Sequence, residues 1–182
     1  MKLGVIGIGN IMYSDEGVGV HFMHALQQNY KFTPNSPDDS IEFIDGGTLA
    51  ALLMHILVEF DEILLIDCID ADEGSIGDVY FFDYEAMPKS VKWSGSAHEV
   101  EMLETLQMLD LCGDRPRTQI LAVVPMRIEP MSFSVSDEVL KSSEIMERTA
   151  IDFIASRGFV CEKIGNLSVR DIAEKFDSKG KN

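Results

Sequence analysis

The chain has 182 residues, 46% of them hydrophobic and 25% charged, which suits one globular domain with a real core. Its formal net charge of −16 argues against nucleic acid or an anionic membrane as partner, since phosphate and acidic lipid would be repelled. Cys68, Cys112 and Cys161 are scattered and odd in number, which argues against a disulfide framework or structural zinc and points to a reducing, cytoplasmic setting. No secretory signal is expected, because the apolar start at 3–12 is broken by Gly4, Gly7 and Gly9 and then meets Asp15 and Glu16. The apolar stretch 49–58 is too short to span a bilayer.

Residues 2–8 read as a buried strand ending in Gly9-Asn10. A helix follows, with Val18, Phe22, Ala25, Leu26 and Tyr30 on one face. Residues 33–40, carrying Pro34 and Pro37, read as a loop, and 41–45 as a strand stopping at Gly46-Gly47. Thr48 can cap a helix whose face is Leu49, Leu52, Leu53, Ile56 and Leu57. Residues 62–68 form a third strand and 78–83 a fourth. The link between them leaves no room for a crossover helix, so the fourth strand should run antiparallel. Residues 84–95 read as a loop, and Ser96-Ala97-His98-Glu99 as a capping box opening a helix that runs to Cys112-Gly113. A fifth strand is expected at 118–124, a long helix at 136–157 and an extended segment at 159–164. The pattern divides the chain into one α/β domain at 1–165 and a carboxyl-terminal tail at 166–182, with a short helix at 168–176 and a frayed Lys-rich end. Strands alternating with helices imply a mostly parallel sheet covered on both faces.

In such sheets the working residues lie beyond the carboxyl ends of the strands. Glu16 follows the first strand, Asp67 ends the third, and His98 opens the helix after the fourth. Two carboxylates and an imidazole suit a divalent borderline metal such as nickel or zinc, and three protein ligands leave positions open for water or substrate. A helix amino terminus disfavours imidazolium, so His98 should tend to the neutral, metal-binding form. Each residue also has an ordinary alternative: a turn-capping Asp, a Glu at a helix start, an exposed first-turn His.

Gly7-Ile8-Gly9-Asn10 followed by Ser14-Asp15-Glu16-Gly17-Val18-Gly19 resembles the amino-terminal signature of the nickel–iron hydrogenase maturation endopeptidases. Asp45-Gly46-Gly47-Thr48 resembles their second signature. Ile66-Asp67 and Ser96-Ala97-His98 match the places of their remaining two metal ligands. The resemblance runs from Met1 to about Ile154, with the four motifs in order. It implies a three-layer α/β/α sandwich, phosphorylase/hydrolase-like, with a five-stranded sheet and one antiparallel strand. It also implies that Glu16, Asp67 and His98 bind nickel carried by the substrate, with cadmium or zinc substituting in vitro. Asp45 would join Glu16 and Asp67 in cleavage, and Gly46, Gly47 and Thr48 would shape the substrate cleft. The partner implied is a nickel-loaded hydrogenase large-subunit precursor, which would lose a short carboxyl-terminal peptide. Ala97 stands where many relatives have proline, and the tail after Gly165 has no matching signature.

Other residues carry less. Gly7-x-Gly9 lacks the third glycine of a dinucleotide fingerprint, Met12 standing there, so a tight strand-to-helix turn is expected. Asp15 reads as a cap, Asp70 and Asp72 as solvated, and Cys68 as a buried thiol turned away from Asp67 by strand alternation. His21, His24 and His55 read as helical, and His21 and His24, three apart, as surface. Residues 126–130 could border the cleft. The expected chemistry is peptide hydrolysis in which nickel either polarises the carbonyl or only marks the substrate, an aspartate such as Asp45 then acting as general base. The rival from another class is a non-catalytic nickel-binding assembly factor for hydrogenase.

Overall fold

The computed structural model describes residues 1–48, 50–92 and 97–180, with side chains described at all of these except 50, 92, 97–101 and 179–180. Along the chain lie β1 (Lys2–Ile8), α1 (Val18–Asn29), β2 (Tyr30–Pro34), β3 (Ser40–Gly47), α2 (Met54–Leu57), β4 (Glu62–Cys68) and β5 (Asp70–Ala71). Then come β6 (Val79–Asp83), β7 (Val91–Lys92), α3 (Ala97–Cys112), β8 (Arg117–Val123), α4 (Asp137–Ser156), β9 (Phe159–Lys163) and α5 (Val169–Gly180). The apolar runs of β1, β4 and β8 become the centre of a five-stranded sheet of order β3-β1-β4-β8-β6. The first four strands are parallel, and β6 pairs antiparallel with β8, as the missing crossover helix requires.

Strand alternation sorts the core into two layers. Leu64, Ile66 and Cys68 of β4 pack with Val18, Phe22 and Leu26 of α1, Met146 and Phe153 of α4, and Ile172 of α5. Ile63 and Leu65 face the other way, onto Met102, Leu106 and Leu109 of α3 and Leu57 of α2. The result is the expected α/β/α sandwich, with Cys68 buried on the face opposite to Asp67.

The structure corrects several local expectations. The loop expected at 33–40 begins as β2, which pairs antiparallel with β9 from Tyr30↔Lys163 to Pro34↔Phe159. Pro34 is tolerated there because it sits at the end of a two-stranded ribbon, where no interior ladder bond is lost. The helix expected after Thr48 is only a 3₁₀ turn (Ala50–Leu53) and one α turn, because Leu53 and Leu57 find a core to enter while Leu52 is 64% exposed. The loop expected at 84–95 contains β7, paired with β5. The carboxyl-terminal helix runs on to Gly180 and places Val169, Ile172 and Ala173 in the core against α1. The capping box expected at Ser96 and Glu99 lies outside the described residues, as does Leu49.

Candidate active site

The site is set by an unusually close approach of α1 to the sheet. A Cβ on Gly19 would lie 2.3 Å from the carbonyl oxygens of both Ile8 and Ile66, and one on Gly7 would lie 2.5 Å from the Gly19 carbonyl oxygen. Gly9, at φ +133°, lets the chain leave β1 where any side chain would strike the Glu16 carbonyl. Gly9 therefore makes the expected tight turn, while Gly7 and Gly19 serve a helix–strand contact.

This contact presses the short 3₁₀ helix Ser14–Gly17 against the end of β4. Glu16 on that turn is 6% exposed and Asp67 at the end of β4 is 0% exposed. Asp67 accepts a hydrogen bond from the Cys68 amide through Oδ1 at 2.8 Å. By alternation with Ile63 and Leu65 it lies on the α3 side of the sheet, and α3 is the helix whose first turn carries His98. The His98 side chain lies outside the described residues. Among the described residues, no three His, Cys, Asp or Glu side chains group closely enough to hold a metal.

Asp45 stands apart from this pair. Asp45 and Ile66 both lie in register with Gly7, on opposite sides of β1, so two strand spacings of roughly 10 Å separate them. The Asp45 carboxylate accepts from the Gly47 amide through Oδ1 at 3.1 Å and meets His24 Nε2 through Oδ2 at 3.2 Å. Gly47 makes the turn possible at φ +51°, just after the irregularity in β1–β3 pairing. Asp45, Gly47 and Thr48 line a groove of about 440 Å³ with Gly9 to Met12, Phe133 and Phe176. Gly46 is buried beneath it, where a Cβ would meet Ile8 Cδ1 at 2.5 Å. A larger groove of about 840 Å³ adjoins it, shares Met12 and Phe133, and runs between residues 131–135 and α5.

The loop after β8 is sewn to the β1–α1 turn. Asp15 is wholly buried, and its carboxylate accepts from the amides of Met126, Arg127 and Ser136 and from the Ser136 hydroxyl at 2.6–3.1 Å. Ser132 donates its amide to Met12 O and accepts the Ser14 amide, an arrangement in which Ser14 and Met131 both take positive φ, 55° and 60°. Asp15 was expected as a cap; it instead clamps residues 126–136, of which Met131 to Val135, rather than the expected 126–130, line the larger groove.

His21 corrects the surface reading of the α1 histidines. It is 0% exposed, neither ring nitrogen has a hydrogen-bond partner among the described residues, and its ring and that of His24 each lie 5.4 Å from Phe176 of α5. Burial, with His24 adding to it, pushes the His21 imidazole from 6.5 down to about 4. The folded protein thus holds it neutral, while the unfolded chain takes up a proton below 6.5. Its contribution is complete above pH 6.5 and is lost as pH falls to about 4, a change of about 3 kcal/mol. Urea midpoints recorded from pH 7 to pH 4 should therefore fall more steeply for the wild type than for His21→Leu; parallel curves would contradict this. His55, by contrast, is exposed, on the expected helical turn.

A doubly covered, mostly parallel sheet with buried carboxylates and a groove at its carboxyl edge is the arrangement of an α/β enzyme working at strand ends. A model of the hydrogenase maturation protease family matches residues 20–153, and the chain belongs to that family. It is 39% identical over 155 residues to protein HydD of Wolinella succinogenes, covering 85% of this chain and 96% of that one. It is 28% identical over 131 residues to the hydrogenase 2 maturation protease of Escherichia coli K12, covering 71% and 77%. The solved hydrogenase maturating endopeptidase HybD from E. coli superimposes with a TM-score of 0.78 at 23% identity, over 90% of this chain and 98% of that one. The chain is accordingly a peptidase. No described helix is long and apolar enough to cross a membrane.

Proposed function

We propose that this endopeptidase removes a carboxyl-terminal segment from a nickel–iron hydrogenase large-subunit precursor, and that the nickel arrives with the substrate. The observation that carries the reading is the withdrawal of two carboxylates, Glu16 and Asp67, from water at neighbouring strand ends. A divalent cation held between them would neutralise both charges. Glu16, Asp67 and His98 would hold that ion, and cadmium or zinc should replace nickel at these ligands in vitro. Bound there, nickel supplies a Lewis acid. The roughly 10 Å between the β4 end and Asp45 favours a division of labour, in which the metal marks a loaded precursor and Asp45 takes the proton of an attacking water farther along the groove. Gly46, Gly47 and Thr48 would seat the extended segment. The absence of a disulfide among its three cysteines, all described, fits a cytoplasmic location.

Incubation with nickel-loaded and nickel-free precursor, followed by mass spectrometry of the products, tests this reading. Only the loaded form should release a peptide, and His98→Ala should abolish its release. Equal cleavage of both forms would remove nickel from the proposal. Binding without cleavage would leave an assembly factor.

A further inference from the structure

We infer that His24 is a positioning residue for Asp45, and that Phe176 of α5 buttresses it. The inference rests on Asp45 working in the cleft as proposed above. An ionised carboxylate only accepts hydrogen bonds, so His24 Nε2 is the donor in its 3.2 Å contact with Asp45 Oδ2. With Oδ1 held by the Gly47 amide, both oxygens of Asp45 are fixed and the carboxylate cannot rotate. Asp45 would otherwise be free to do so, being 42% exposed on an edge strand at the rim of the groove.

His24 is itself held. Its ring lies 5.4 Å from Phe176, which also packs on the buried His21 one turn earlier, so the three rings form one tilted cluster between α1 and α5. His24 and Asp45 lie within residues 20–153, matched by the family model, whereas Phe176 lies outside them. A general base acts efficiently only when aimed at the proton it removes, so a fixed carboxylate raises turnover without tightening substrate binding.

The test compares His24→Gln, His24→Glu and His24→Leu in cleavage of the nickel-loaded precursor. Gln presents a donor near the place of Nε2, Glu presents only acceptors in nearly the same shape, and Leu keeps the packing on Phe176. Glu and Leu should lower kcat about tenfold with KM unchanged, and Gln should restore most of the loss. In an Asp45→Asn background the Leu substitution should add nothing. Wild-type kcat in both Glu and Leu variants, equal loss in Gln and Glu, or a Leu effect that adds to Asp45→Asn would each overturn the inference. If His24→Leu does not fold, the Gln–Glu comparison decides alone. Full activity of Asp45→Asn itself would instead overturn the role given to Asp45.

Discussion

Gly19→Ala is expected to lower stability by about 3 kcal/mol or more. The added carbon would stand 2.3 Å from two backbone oxygens, Ile8 O and Ile66 O, on two different strands. Neither can retreat alone, because β1 and β4 are paired with each other from Leu3↔Glu62 to Gly7↔Ile66. The helix must lift instead, separating Val18 and Phe22 from the core and carrying Glu16 away from the end of β4. Gly113→Ala provides the contrast, since nothing lies within 4 Å of its Cβ position and only its φ of +79° opposes the change. Denaturant midpoints should rank wild type, Gly113→Ala, Gly19→Ala. A Gly19→Ala protein as stable as Gly113→Ala would show that α1 does not need this approach.

Asp15→Ala should cost about 3–5 kcal/mol, because it strands the part-buried amides of Met126 and Arg127 and the buried amide and hydroxyl of Ser136. Asp15→Asn should cost less, as its carbonyl oxygen still accepts part of the set. Both should speed amide exchange at Met126, Arg127 and Ser136. Both should also lower cleavage, since the freed loop carries Met131 to Val135, which wall the larger groove. Unchanged exchange at those three amides in a folded Asp15→Ala protein would refute the clamp.

The main sheet was legible because its central strands are short apolar runs closed by Gly, Asp or Pro, and the antiparallel strand because a link without a helix cannot return parallel. The strand-end placement of Glu16 and Asp67 followed from the same reasoning. What escaped depended on contacts between distant segments. Val169, Ile172, Ala173 and Phe176 already carry helical spacing, but nothing local says that this face lies on α1. Without that cover His21 and His24 read as solvent-facing, and the pairing of His24 with Asp45 had no visible cause. Asp15 beside Glu16 could be told from a ligand, yet its partners lie more than a hundred residues away in sequence. The β2–β9 ribbon was hidden for the same reason, with Pro34 making its first half look irregular.

That ribbon joins Phe32 to Cys161, and α5 follows it directly. During synthesis, α1 and β1 emerge early, but the ribbon cannot zip until its second strand has left the ribosome. Pairings this remote are late steps in folding, because the entropy of closing so long a loop must be overcome before any contact repays it. The nascent chain therefore carries an unfinished flank around His21 and His24 until α5 has emerged. The wall made by α5 closes only after that, so the two grooves that Arg170, Ala173 and Phe176 line are completed by a late segment of the chain.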